Sequence, residues 1–269
     1  MQKYKTVLSI AGSDSSAGAG IQADIKTAAA LQCYGCTVIT AVTAQNTKAV
    51  NNIFNLPLTV IENQFAAIMD DIEIDAVKIG MLGNETIVEL IAHLIKKYQL
   101  QNVVLDTVFK STSGKALLSP AGVVKLKTKL FPLCDLIIPN VPEAEILLNG
   151  EAIERNTMRD SVVRLGIAYN KPFLLKGGHL AGHDSKDYLF LDVDNEVHQF
   201  AAPTIASNNT HGTGCTLSTA IACGLAKGNN LVQAVSNAKS YITQAIGEGR
   251  HLKLGNGNGP VHHFFKNWK

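Results

Sequence analysis

The densest run of chemistry-bearing residues is Asn209-Thr210-His211-Gly212-Thr213-Gly214-Cys215-Thr216, which leads straight into an apolar segment of helical period, Leu217–Ala226. Gly212 and Gly214 flank Thr213 and free the backbone to turn its N–H groups toward one point. The helix behind them adds unpaired N–H donors and the positive end of its dipole. Together these suit an anion, either a nucleotide phosphate or a phosphoryl group in transfer, where an oriented donor contributes about 3 kcal/mol as charge develops. The same residues also suit a plain glycine-rich turn with a Thr-Cys helix cap. Cys215 stands at or near the first helical residue, where the dipole lowers a thiol's pKa and lets it donate or accept a proton. A small buried hydrophobe is the other reading of a single cysteine.

Further candidates follow apolar runs. Asp106 and Glu143 sit at two strand–helix corners with Asn140 between them, and the three could hold Mg²⁺ through oxygens and water. The same residues suit N-capping and loop hydrogen bonds. Lys176, before Gly177-Gly178, is placed to pair with a phosphate, or to be a solvated surface lysine. Gly18-Ala-Gly20 imitates a dinucleotide fingerprint, but the next strand ends in Ala44-Gln45-Asn46 without the acidic residue that fingerprint needs. A nicotinamide site is therefore rejected, and no P-loop motif is present. Cys33-Tyr-Gly-Cys36 joins a helix to a strand, whereas a redox pair would open a helix, so these cysteines read as structural. His179, His183, His211 and His262-His263 lack metal-ligand spacing, and no zinc site is expected.

The elements that must position these residues alternate. Strands are expected at Val7–Ala11, Thr37–Thr43, Ala76–Ile79, Val103–Leu105, Leu136–Ile138 and Phe173–Leu175. Helices are expected at Ile21–Leu31, Val60–Asp71, Asn84 to about Tyr98, Pro120 to about Leu130, Glu143–Leu148, Cys215–Ala226 and Leu231–Glu248. Such alternation implies βαβ units and a mostly parallel sheet, and uninterrupted apolar strands imply helices on both faces. Asp187–Leu191 and Val197–Ala201, around Asp192-Val-Asp-Asn195, read as an antiparallel edge hairpin. The fold class is an α/β sandwich, one domain over residues 1–269. Ligands of such sheets bind beyond the carboxyl ends of the strands, where Gly12, Gln45, Met81, Asp106, Asn140 and Lys176 fall. That chemistry at strand ends points to an enzyme.

The 269 residues carry 24 Lys+Arg against 22 Asp+Glu, and a net charge of +2 excludes a strong field for nucleic acid or anionic membrane. No apolar run reaches the roughly 18–20 residues of a membrane span. Val7–Gly12 is too short for the core of a signal peptide. Five cysteines do not make a disulfide framework, so a reducing compartment, the cytoplasm, is expected.

Read together, Ala11-Gly-Ser-Asp14, Ala17-Gly-Ala-Gly20-Ile-Gln-Ala-Asp24, Thr43-Ala-Gln-Asn46, Lys78-Ile-Gly-Met-Leu82, Asp106-Thr-Val108, Pro139-Asn140, Pro142-Glu143, Lys176-Gly-Gly-His179, the Asn209–Thr216 run and Gly259-Pro-Val-His-His263 resemble the hydroxymethylpyrimidine/phosphomethylpyrimidine kinases. The match runs in order along nearly the whole chain. The resemblance implies a three-layer α/β/α ribokinase-like sandwich. It also implies two ATP-dependent phosphorylations, of 4-amino-5-hydroxymethyl-2-methylpyrimidine and then of its monophosphate, in thiamine biosynthesis. It implies that Gln45 bonds the aminopyrimidine, as an amide with both a donor and an acceptor suits a ring nitrogen beside an amine. Asp24 and Gly12 would be further substrate contacts, and Val42, Met81 and Val108 apolar walls. Lys176, Asn140, Thr213 and Lys239 would bind ATP, and Asp106 and Glu143 would lie at Mg²⁺. Gly212, Gly214 and Cys215 would form the catalytic cradle, with Cys215 assisting the alcohol reaction where sugar kinases of this fold place an Asp base.

The partners implied are the small pyrimidine, ATP and a second copy in a homodimer. Pyridoxal kinase activity is the nearest alternative, although Phe109-Lys-Ser-Thr-Ser-Gly114 lacks the lid cysteine of some such enzymes. A non-catalytic pyrimidine-binding protein is the second, and a sugar kinase the least favoured. The chain ends soon after His263, so no fused thiamine-phosphate synthase domain is expected.

Overall fold

Four-residue strands such as Ala76–Ile79 and Val103–Asp106 are buried along their whole length, as aliphatic runs covered on both faces must be. A computed structural model describes residues 3–111, 114–178, 180 and 184–268. The elements begin β1 (Thr6–Asp14), α1 (Gly20–Ala30), β2 (Tyr34–Gln45), β3 (Val50–Asn55), α2 (Leu58–Met69), β4 (Ala76–Ile79), α3 (Glu85–Lys97) and β5 (Val103–Asp106). They continue α4 (Pro120–Lys125), β6 (Leu136–Ile138), α5 (Val141–Leu147), α6 (Met158–Tyr169), β7 (Phe173–Lys176), β8 (Asp184–Leu191), β9 (Glu196–Pro203), α7 (Thr213–Ala226) and α8 (Leu231–Gly249).

The strands form one sheet in the order β3-β2-β1-β4-β5-β6-β7-β8-β9. The β2-β1-β4-β5-β6-β7 pairs are parallel, and antiparallel pairs close both edges. Alternate side chains of one strand feed two cores. Val103 and Leu105 join the layer of α2, α3, α4 and α6, whereas Val104 meets α7 and α8. The fold is therefore the expected three-layer α/β/α sandwich, with β8 and β9 as its edge hairpin. β1 leads to β2 on one side and lies beside β4 on the other, so the order reverses around it and opens a crevice at the carboxyl ends.

Several local signals act as the sequence suggests. Asn84 caps α3, its Oδ1 accepting from the Ile87 N–H at 3.0 Å. Ser119 caps α4 in the same way, with Pro120 in its first turn. That helix gives way at Leu126–Leu130 to a wider π-type turn and ends in a 3₁₀ turn at Phe131–Leu133, which holds Pro132. Two elements go beyond the sequence reading. β3 contains three asparagines, weak strand formers, and exists by pairing antiparallel with Ala41–Gln45 of β2. α6 buries Met158, Val162 and Leu165 against the sheet, with Arg159, Asp160 and Arg164 interrupting its apolar residues.

Candidate active site

The carboxyl ends of β1, β4, β5, β6 and β7 and the start of α7 line one cavity of about 950 Å³. Gly12, Gln45, Met81, Val108, Asp106, Asn140, Glu143, Lys176, Lys239 and the whole of Gly212–Cys215 face it. Thus elements far apart in the chain bring together most of the residues singled out above. His179, His183, Thr112 and Ser113 lie outside the described residues.

The cradle is built by close approach. Gly212 holds φ of +79° as the residue before α7, and a Cβ there would collide with the Gly18 carbonyl oxygen. The N–H groups of Gly214 and Cys215 have no backbone acceptor among the described residues, as expected in a helix's first turn. A Cβ on Gly214 would lie 3.3 Å from Asp106 Oδ2 and 3.6 Å from Lys176 Nζ, so the cradle opens directly onto that ion pair. Lys176 Nζ donates to Asp106 Oδ1 at 2.7 Å. Burial alone would neutralise this lysine, but Asp106 and Glu143 raise its pKa above the ordinary value, so it remains a cation.

Glu143 is committed locally. It forms a capping box with Asn140, accepting from the Asn140 N–H while Asn140 Oδ1 accepts from the Glu143 N–H, each at 2.9 Å. Its carboxylate also accepts from the Thr107 hydroxyl at 2.7 Å and the Phe109 N–H at 3.1 Å. Burial raises its pKa. The capping alternative therefore holds for this pair. The described residues contain no group of three carboxylates, histidines or cysteines able to cage a metal, and both Asp106 and Glu143 already face donors. This donor set fits a Mg²⁺ that keeps its waters and nucleotide oxygens rather than one ligated directly by both carboxylates.

The expected low thiol pKa of Cys215 is corrected. Although part of its surface opens on the cavity, burial pushes the thiol up to about 11; Lys78 opposes this, while Asp24 and Asp106 add to it. Desolvation outweighs the helix dipole here, so the resting group is a neutral thiol.

Two expected substrate contacts lie elsewhere. Asp24 does not line the cavity: it is 1% exposed and ion-paired to fully buried Lys78 at 2.8 Å. Its oxygens also accept from Ser9 Oγ at 2.5 Å and Thr219 Oγ1 at 2.7 Å, which leaves no edge for a ligand. Val42 points away from the cavity, 45% exposed and paired with Phe54 on the outer edge of the sheet. The period-two alternation of a strand carries it to the opposite face from Thr43. Lys239 lines the cavity but is tethered, donating to Asp187 Oδ2 at 2.7 Å and Ser185 Oγ at 3.1 Å, and Asp187 also accepts from the Gly177 N–H at 3.0 Å.

The sequence reading assigned no role to Lys78, Asp187, Asp14 or His211. Lys78 had a signal, a lysine inside the apolar strand Ala76–Ile79. Asp14, at the end of β1, accepts from the N–H groups of Ser16, Gly18 and Ala19 at 2.8, 3.2 and 2.9 Å, and contacts His211 Nε2 at 2.8 Å. Burial opposes its ionisation, but His211, Ser16 and Ala19 overcome this and hold its carboxyl at about 2. This pKa is depressed, so Asp14 contributes stability that is complete above about pH 4 and disappears as pH falls through about 2. Urea midpoints measured across that window should fall in the wild type and change much less in Asp14→Asn. Parallel curves would contradict the assignment.

With this geometry in place the relatives are informative. The phosphomethylpyrimidine kinase family profile matches residues 14–262. The chain belongs to the phosphomethylpyrimidine kinase family. It is 44% identical to the hydroxymethylpyrimidine/phosphomethylpyrimidine kinase of Escherichia coli strain K12, over 99% of this chain and all of that one. A phosphomethylpyrimidine kinase structure from Clostridium difficile 630 superposes with a TM-score of 0.77 at 42% identity, covering 90% of this chain and 99% of that one. The pyridoxal kinase of Staphylococcus aureus, solved with AMP-PCP and pyridoxal, superposes with a TM-score of 0.88 at 29% identity, covering 99% and 96%. The protein is a kinase of this family, and no helix among its described residues is long and apolar enough to cross a membrane.

Proposed function

We propose that this kinase transfers the γ-phosphoryl group of ATP to 4-amino-5-hydroxymethyl-2-methylpyrimidine and then to its monophosphate, in thiamine biosynthesis, using one ribokinase-like domain. The observation that carries this reading is the joining of a polar edge, Gln45, to the Gly212–Cys215 cradle and Lys176 within a single cavity. Gln45 reads the aminopyrimidine, with Gly12, Met81 and Val108 around the ring. Asn140, Thr213 and Lys239 surround the nucleotide. Lys176 and the Gly214 and Cys215 N–H groups face the phosphoryl group and stabilise the charge that grows on it. Asp106 and Glu143 would hold the hydrated Mg²⁺ of the nucleotide through its waters, and that ion supplies charge neutralisation at the phosphate oxygens. The neutral Cys215 thiol positions the acceptor hydroxyl in the first reaction. The second acceptor, a phosphate, is already anionic and needs no base. Cytoplasmic location and a homodimer belong to the same proposal.

Close superposition on a pyridoxal kinase favours vitamin B6 phosphorylation as a second reading. ADP release with Mg·ATP, measured for hydroxymethylpyrimidine, its monophosphate and pyridoxal at matched concentrations, separates them. Turnover of both pyrimidines is expected, and turnover of pyridoxal alone overturns the proposal. Cys215→Ala should slow the alcohol reaction about tenfold or more and spare the phosphate reaction. An alcohol rate left intact would remove Cys215 from the mechanism.

A further inference from the structure

One ring nitrogen of His211 meets two side chains. Nε2 lies 2.8 Å from Asp14 Oδ2 and 3.1 Å from the Gln45 amide at the Nε2 position. Asp14 is an ionised acceptor, so His211 Nε2 carries a hydrogen and has no lone pair left for an amide NH₂. The other end of the amide lies 3.3 Å from Thr43 Oγ1, whose single hydrogen is directed to the Ser13 carbonyl at 3.0 Å. That hydroxyl oxygen therefore needs a donor opposite it. Both mismatches are relieved when the amide is turned by 180°. Gln45 Oε1 then takes a share of the single His211 Nε2 hydrogen, whose main acceptor is Asp14 Oδ2, in a three-centre bond, and Gln45 Nε2 donates to Thr43 Oγ1. The two ends of a carboxamide have nearly the same shape, so this turn displaces no neighbour.

The anchors are rigid. A Cβ at Gly18 would collide with the His211 ring, so the ring is packed against this backbone. The His211 N–H donates to the Gly259 carbonyl at 3.0 Å, which ties it to the C-terminal segment. Thr43 is 5% exposed, inside β2.

We propose that Asp14, His211 and Thr43 lock the Gln45 amide in this one orientation, and that the lock makes the site select an aminopyrimidine edge over an oxopyrimidine edge. This rests on the aminopyrimidine reading above. An aminopyrimidine offers a ring-nitrogen acceptor beside an amine donor. Its 4-oxo counterpart offers a ring N–H donor beside a carbonyl acceptor, the reversed pattern. A carboxamide free to turn serves either edge, whereas a fixed one serves a single pattern and leaves the other with two mispaired groups. Asp14, His211 and Thr43 are positioning residues in this scheme, acting through Gln45.

The test compares kcat/KM for 4-amino- and 4-oxo-5-hydroxymethyl-2-methylpyrimidine in the wild type, His211→Asn and Thr43→Val. The wild type should prefer the amino compound by about 100-fold or more. In either variant the ratio should fall at least about tenfold, with turnover of the oxo compound rising in absolute terms. A merely structural lesion does not raise it. An unchanged ratio with both rates falling together, or no preference in the wild type, overturns the lock. Nitrogen-15 NMR of the ligand-free protein gives a readout independent of substrate: His211 Nε2 should resonate as a protonated nitrogen. An unprotonated Nε2 overturns the lock, whereas turnover of pyridoxal alone overturns the kinase assignment instead.

Discussion

Lys176→Met is expected to lower kcat by about 10²–10³-fold for both acceptors and to leave KM for the pyrimidine within a few-fold. The lysine stands beside the cradle, 2.7 Å from Asp106 Oδ1 and 3.6 Å from the point where a Cβ on Gly214 would stand. Its raised pKa keeps it charged despite its burial. A cation preorganised in a site shielded from water stabilises the transferring group more than the bound ground state, so the loss should fall on kcat. Methionine matches much of the aliphatic stem, and the expected deficit is therefore electrostatic. The substitution also leaves Asp106, 3% exposed, without its ion partner. Lys176→Met/Asp106→Asn should regain stability in urea without regaining rate. Steady-state kinetics at saturating Mg·ATP check the first claim, and a kcat within threefold of wild type would refute it.

The largest effect on stability should come from Lys78→Met. Lys78 and Asp24 are each fully buried at the side chain and 2.8 Å apart. Burial pushes Lys78 toward neutrality, yet Asp24 more than compensates, and its pKa rises. Removing the lysine strands a carboxylate in the interior, a change that typically costs about 3–5 kcal/mol. The damage should reach the site, because Asp24 also binds Thr219, one helical turn past Cys215 in α7. Lys78→Met/Asp24→Leu, which replaces the pair with apolar groups of similar size, should recover most of the loss. Urea unfolding at pH 7 measures both variants. A single-variant loss below about 1 kcal/mol would show that Asp24 finds its compensation elsewhere.

The sequence by itself determined the layers, most of the elements and the end of the sheet at which the site lies. Aliphatic runs, helical periods and caps such as Asn84 are local signals, readable over a few residues. Hence Asp106 and Lys176 are identifiable without coordinates from their strand-end positions, and Gly212–Cys215 from a glycine-rich run that opens a helix. The weak strand β3 was not, because its asparagines carry no local preference and its existence depends on pairing with β2.

Tertiary structure decided what each charged or polar side chain faces. Asp24 is a reasonable ligand contact by sequence, but a lysine 54 positions away and a threonine 195 away take its oxygens. Cys215 sits where a helix dipole would activate it, yet the shell around it desolvates the thiol and keeps it neutral. His211 and Asp14 are 197 residues apart, so the contact that orients Gln45 is invisible in the sequence. Backbone preference is set by near neighbours. Desolvation and hydrogen-bond partners are set by whatever the fold brings alongside, and these control protonation and recognition.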